Sequence, residues 1–560
     1  MLKTTFSYDH YFLYDELTRA LERLAAMRPD LMRLSSLART PYGREVWLAE
    51  ITDPATGPAE SKPALYVDGT QHAGEVTASM VAMHFIDALI TSAEEPEVAG
   101  LLRERTFYVI PRVAVDGAEL YLTTDAELRS ANRPGQDGDS LPGLRLKDMD
   151  GDGAVRYMRV PSPMGCWRVS EQDPRLMVRR KAWETEGTFY NVYREGDIID
   201  YDGVHIQPAE SPWPLDFNRN FPIGWEHEKS KSTGDYPLCH PETRCLADFV
   251  LAHKNIVSVL TYHTAGGYYI YPPQFETDKA VYEADKRMYL ARGERGHELT
   301  GYPVLNLYRE FWPKDAPGAW GAFDDWCHQT QGIPSFTVEC WSINQRAGVP
   351  NKYPMSSFGI LKEDAVSEWE TARVLRWIDE NLGPETFKPW TAFDHPQLGR
   401  VEIGGIDHKF TAQNCPPAFL KEELEKHTRF MLTDVRCFPR LSVDLLTAER
   451  VTDGLYRVTA VIGNRGYLPT DLTAQGRKLG RQHPITVTLD GAPVIRGTKE
   501  QHIQRLEGFS GIRTGHIGYL GGINTLAHGA CAERLEWLIT AAPGTVLTVS
   551  CQCETCTDAG

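Results

Sequence analysis

The chain has 560 residues, too many for one ordinary domain, and its 59 Lys and Arg against 76 Asp and Glu leave a net charge of -17. Such an acidic balance argues against nucleic acid and anionic membrane as partners, because binding phosphates needs a basic surface. Its 11 Cys are an odd number scattered through a large chain, so reduced thiols are a simpler reading than a disulfide framework.

The start, MLKTTFSYDHYFLYDEL, has no apolar region behind a basic one, and no later stretch approaches the length of a membrane span. The expectation is a soluble, cytoplasmic protein. Apolar runs then alternate with helical spacing. The runs are REVWLAEIT, PALYVDG, TFYVIPRV, IVSVLTYH and PSFTVEC, and helical patterns fall near residues 14–28, 76–92, 241–254, 279–298 and 364–382. This alternation predicts an α/β domain over residues 1–400, with a mixed, mostly parallel central sheet flanked by helices. Functional groups are expected at the strand ends and the loops that follow them.

The segment PALYVDGTQHAGE, Pro63 to Glu75, delivers a His and a Glu three residues apart just before a helical pattern opens at Val76. His72 and Glu75 on such a strand-to-helix turn can ligate a metal. A hydrolytic zinc site needs a third protein ligand and an open position for water. A lone HxxE reads equally as a hydrogen-bonded His near a helix start.

Residues 134–213 carry Trp167, Trp183, Tyr190 and Tyr193 among many charges and are expected to fold as an insertion on the rim of the cleft. Within them DMDGDG sets Asp148, Asp150 and Asp152 at the one-three-five spacing of a calcium loop. The twelfth position is Arg159, where an EF-hand has an acid, so Ca2+ and a plain Asp/Gly turn both stay open. HPQLGRVEIGGID and the helical KEELEKHTRF tie the first domain to the rest, with a connecting segment at 401–437. Residues 438–560 show short runs of period-two alternation, such as LYRVTAVIGN, ITVTLDG and RLEWLIT, and predict an all-β sandwich that caps the first domain. The thiols of CQCETC (Cys551, Cys553, Cys556) have no fourth ligand nearby and read as bystanders.

Four motifs in order resemble the zinc carboxypeptidase family of the carboxypeptidase A type. After HxxE comes PLDFNRNF, similar to the family's GLDxNRN, with Asn218 and Arg219. Next is IVSVLTYH, which ends in His263 and is followed by Tyr271 and Pro272. Last is FDDWCHQTQGIPSFTVEC, whose SFTVE resembles the family strand ending in the catalytic glutamate, here Glu339. The resemblance implies one Zn2+ held by His72, Glu75 and His263, with Glu339 moving protons. It implies a peptide substrate whose free C-terminus is read by Asn218 and Arg219, the latter by bidentate pairing. Arg129, placed by its spacing from Gly117, is the expected oxyanion donor, with Arg133 as rival. Asp324 falls where an Asp accompanies preference for Lys or Arg, and it reads also as a helix cap. Three departures stand out: Gly74 replaces the Arg between the ligands, Thr264 and Ala265 replace a Ser-Tyr pair, and Pro317 takes the place of a mobile tyrosine that Tyr308 or the insertion would have to supply. The competing readings are a cell-wall peptide carboxypeptidase or amidase on the same scaffold, and an inactive peptide-binding protein.

Overall fold

Apolar runs without polar alternation belong in the interior of a sheet covered on both faces, and eight strands build such a sheet. The structure, a computed structural model, describes residues 2–135, 141–226, 231–311, 318–349, 368–481, 483–511 and 531–557. The strands are β1 (Met32–Arg39), β2 (Glu45–Ile51), β3 (Ala64–Gly69), β4 (Thr106–Ile110), β5 (Ile256–Thr264), β6 (Tyr268–Tyr271), β7 (Val304–Asn306) and β8 (Ser335–Cys340). Their order across the sheet is β1-β2-β4-β3-β5-β8-β6-β7. The central four, β4-β3-β5-β8, run parallel; β1 and β2 are antiparallel on one side, and β6 is antiparallel to β8 on the other. Every residue of β3 and β5 is buried. The expected mixed sheet is therefore present, with its parallel part at the centre.

Helices cover the sheet: α1 (Tyr14–Met27), α2 (Val76–Thr91), α3 (Val115–Thr123), α4 (Pro241–Ala252), α5 (Lys279–Thr300), α6 (Phe323–Gln331), α7 (Glu368–Asn381) and α8 (Pro417–Asp434). Residues 76–90 of α2 are all buried, which a helix achieves only when covered on every side. Part of that cover is α8, whose Leu420, Leu424, Phe430 and Met431 belong to the same core. The Arg292 guanidinium on α5 bonds Asp434 at the end of α8 and Ser258 on β5. The segment expected to connect two domains is thus part of the first one's core.

A second sheet holds six strands. Its order is Phe387–His395, Gly399–Ile406, Tyr157–Pro161, Tyr190–Arg194, Trp167–Val169 and Met177–Arg179. Two of these form a hairpin that crosses residue 400 and pairs with the insertion through Glu402 opposite Arg159. The insertion and the hairpin, far apart in sequence, make one unit. The C-terminal part forms a four-stranded and a three-stranded sheet around a shared apolar core that includes Val458, Ile462, Val487 and Trp537. Cys551, Cys553 and Cys556 are buried in that core. Among the described residues no single helix is long and apolar enough to cross a membrane.

Candidate active site and metal centre

The site lies where the parallel strands end. β3 stops at Gly69, and the chain turns through Thr70 to Glu75 before α2 begins. The turn is held by Glu75 N donating to the His72 carbonyl at 3.1 Å and by Thr70 Oγ1 donating to the Glu75 carbonyl at 2.8 Å. Asn414 braces it from outside: its Oδ1 accepts from Thr77 N at 3.0 Å and its Nδ2 donates to the Gly74 carbonyl at 2.7 Å. A Cβ at Gly74 would press on Gln413 of the connecting segment and on the Tyr121 ring, so a longer side chain there would need both to shift.

His263 enters from β5, in parallel register with Glu339 on β8, so their side chains share one face. His72 Nδ1 lies 2.9 Å from Glu75 Oε1, His263 Nδ1 lies 2.8 Å from Glu75 Oε2, and the two Nδ1 atoms are 3.0 Å apart. All three residues are buried, and their donor atoms converge on a point that could hold a metal ion. Two imidazole nitrogens facing each other can share only one proton. A tetrahedral ion with bonds of about 2.0–2.1 Å would hold such atoms ~3.3 Å apart, so the donor set fits a divalent cation.

A carboxylate absent from the expected site completes it. Asp216 Oδ1 lies 3.1 Å from His72 Nε2, and its Oδ2 accepts from Arg129 Nε at 3.0 Å. A carboxylate only accepts, so with a cation between Nδ1 and Glu75 the His72 proton would sit on Nε2, facing Asp216, and the Nδ1 lone pair would turn to the metal position. The signal for Asp216 was at hand, two residues before Asn218 in PLDFNRNF, but nothing in its spacing names a role.

Arg129 is the arginine at the centre. Its Nη1 donates to Glu75 Oε1 at 3.1 Å, and its carbonyl accepts from Ala73 N at 2.8 Å, tying it to the HxxE turn. Arg133 is spent elsewhere, paired through both Nη atoms with buried Glu242 at 3.1–3.2 Å.

The electrostatics follow from this packing. Burial pushes Glu75 up, but the two imidazoles outweigh it and hold its pKa well below the usual range. Asp216 is likewise held low by Arg129 and His72 against its burial. Glu339 goes the other way: burial, reinforced by the Glu75 charge, raises it well above an ordinary glutamate. A carboxyl so raised is poised to hold a proton near neutrality.

Asn218 and Arg219 follow Asp216 in a short turn. Asn218 Oδ1 accepts from Phe323 N at 2.8 Å, fixing the start of α6, and Arg219 is half-buried with Nη1 on the Asn218 carbonyl. Asp324 is wholly buried one residue further along α6. The N-cap of α6 is Ala322, so Asp324 does not cap that helix. Its carboxylate instead accepts from Gln274 Nε2 at 2.7 Å and lies beside the Thr337 hydroxyl. Burial raises its pKa. Tyr308 is half-buried in the turn Leu307–Phe311, and Pro317 lies outside the described residues.

The DMDGDG loop does not gather its three carboxylates. Asp148 accepts from the backbone N–H groups of Gly151, Asp152 and Gly153, and Lys388 Nζ sits 2.6 Å from both Asp150 and Asp152. The acids that do approach one another are Asp148, Asp150 and Glu195. A lysine already supplies positive charge there, so the calcium expectation gains no support.

A model of the zinc carboxypeptidase family matches residues 17–150 and 206–373, more than half of the chain; the unmatched gap falls in the insertion. A domain of unknown function, DUF8731, matches residues 440–559. Carboxypeptidase B of Rattus norvegicus is 30% identical over 343 residues, covering 60% of this chain and 64% of that protein. Carboxypeptidase B of Bos taurus is 28% identical over 144 residues, covering 26% of this chain and 33% of that protein. The chain thus spans between a third and about two thirds of the length of these relatives. Among solved structures, thrombin activatable fibrinolysis inhibitor aligns with a TM-score of 0.43 at 14% identity, over 77% of this chain and 75% of that one.

Proposed function

This chain belongs to the zinc carboxypeptidase family, and we propose that it is a zinc-dependent peptide hydrolase that removes C-terminal residues from peptides. The observation that carries this reading is the convergence of His72, Glu75 and His263 at the strand ends, with Glu339 on the same face and Arg129 bonded to Glu75. Zinc held by these three side chains supplies Lewis acidity, polarising a carbonyl and lowering the pKa of a water toward about 7.

The protein's own groups do the rest. Glu339, with its raised pKa, accepts a proton from the attacking water and returns it to the leaving amine. Arg129, fixed by Asp216 and still 38% exposed at its side chain, points remaining N–H groups where negative charge develops on the scissile carbonyl oxygen. Arg219 and the Asn218 amide receive the terminal carboxylate, which makes the activity exopeptidic. A Lys or Arg at the substrate C-terminus would pair with Asp324, a buried carboxylate that favours a basic side chain over an apolar one.

The test is cleavage of blocked dipeptides ending in Lys, Arg, Phe, Leu, Glu or a C-terminal amide, by wild type and Glu339→Gln, with and without a zinc chelator. Release of a free terminal residue that disappears in the variant and in the chelated sample is expected. Turnover of the amide-ended substrate alone, or no turnover by protein holding stoichiometric zinc, would overturn the reading.

A further inference from the structure

His72 has a carboxylate behind it, Asp216 at Nε2, whereas the Nε2 of His263 faces the Thr261 hydroxyl. We propose that Thr261 and Asp68 together act as the positioning pair for His263, relaying a carboxylate's pull through a hydroxyl. The proposal rests on reading His72, Glu75 and His263 as the metal site.

The sheet places the three groups on one face. β3 and β5 are parallel neighbours whose register sets Asp68 opposite Thr261. His263 stands two residues beyond Thr261, hence on the same side of β5. Thr261 Oγ1 donates to Asp68 Oδ1 at 2.7 Å, and His263 Nε2 lies 3.3 Å from Thr261 Oγ1. Gln71 Nε2 donates to the same hydroxyl at 2.9 Å. Asp68, Thr261 and Gln71 are all 0% exposed, so bulk water cannot stand in for any of them.

The proton count decides the direction. A threonine hydroxyl has one proton, and the acceptor-only carboxylate of Asp68 takes it. Gln71 faces the hydroxyl with its NH2 and can only donate. Toward His263 the oxygen can therefore only accept, so the imidazole proton must sit on Nε2. Nδ1 faces Glu75 Oε2 at 2.8 Å and, with a cation between them, would turn its lone pair to it. Without the Asp68 acceptor the hydroxyl could turn its proton toward Nε2 and favour the tautomer that cannot bind a metal through Nδ1. A polar pair on two wholly buried strands is costly unless it is satisfied and used; two apolar residues would serve packing alone.

The experiment compares full-length wild type, Thr261→Val and Thr261→Ser. Val keeps the shape and removes the hydroxyl; Ser keeps the hydroxyl and removes the methyl. Zinc affinity is read by chelator competition at fixed pH, and the His263 Nε2–H by NMR of zinc-loaded protein carrying 15N-labelled histidine, because without metal Glu75 Oε2, 2.8 Å from Nδ1, competes for the ring proton. Thr261→Val should raise the zinc Kd by ~10–100-fold and shift or abolish the hydrogen-bonded Nε2–H signal, with Thr261→Ser staying within ~3-fold of the wild-type Kd and keeping that signal. An unchanged Kd in Thr261→Val, or equal weakening in Val and Ser, would overturn the relay. If Thr261→Val does not fold, Asp68→Asn replaces it: weaker zinc binding and a shifted Nε2–H signal are expected, and wild-type values on both would refute the proposal. Failure of wild type to bind stoichiometric zinc would refute the metal-site reading itself, a separate result.

Discussion

Replacing Asp216 with Asn asks what the carboxylate behind the site does, because the change preserves shape and removes one acceptor. Asp216 Oδ1 serves His72 Nε2 at 3.1 Å and the Asn218 backbone N–H at 2.9 Å, while Oδ2 serves Arg129 Nε at 3.0 Å. All three partners are donors. An amide has one oxygen to offer, and it keeps two bonds by facing His72 and Asn218. The NH2 then meets the Arg129 N–H, donor against donor, at a side chain only 9% exposed. A hydrogen bond between charged groups is worth about 1.5–3 kcal/mol, and at about 1.4 kcal/mol per tenfold this is a factor of ~10–150. That loss falls on Arg129. The kcat/KM of zinc-loaded Asp216→Asn should therefore drop by ~10–150-fold, while its zinc Kd, measured by chelator competition, rises less than about tenfold. Full activity in the loaded variant would refute the argument that Asp216 holds Arg129 for the reaction. A zinc Kd raised more than about 100-fold with kcat/KM intact would show that the amide serves Arg129 and abandons His72.

Glu339→Gln should lower kcat by ~10²–10⁴-fold with zinc content unchanged by metal analysis, since Glu339 is not among the converging ligands. Because burial raises the Glu339 pKa well above 4.5, and the ionised form is the base, kcat/KM should rise with pH through a midpoint above that value; an acid limb centred at or below 4.5 would contradict the packing. Asp324→Asn should cut kcat/KM on Lys- and Arg-ended substrates by ~30–150-fold, an unpaired-charge penalty of about 2–3 kcal/mol, and spare Leu-ended ones; equal effects on both would assign Asp324 to structure. Gly117→Ala would set a Cβ against the Ser130 carbonyl oxygen, next to Arg129. A loss of about 1–3 kcal/mol in denaturant unfolding is expected, and an unchanged midpoint would show that this turn yields freely.

His72, Glu75, His263 and Glu339 were legible because each ends or follows an apolar run whose burial the sequence announces, and the strand register then brings them to one edge. Asp216 was not, although it stands inside a quoted motif. Its role depends on which nitrogen of His72 faces away from the metal, and spacing along a chain carries no such information. The same holds for Asp68 and Thr261, which look like polar interruptions of β3 and β5 until the pairing sets one opposite the other. Choosing between Arg129 and Arg133 also needed a tertiary fact, the pairing of Arg133 with Glu242. The domain boundary at 400 fell inside a hairpin for a related reason. Phe387–His395 pairs with Gly399–Ile406, which finds its other partner in a strand far earlier, Glu402 opposite Arg159 at a separation of 243 residues, and non-local pairing of that kind leaves no local signature. The candidate metal ligands are therefore written in local pattern, whereas the groups that touch them are set by which strands become neighbours.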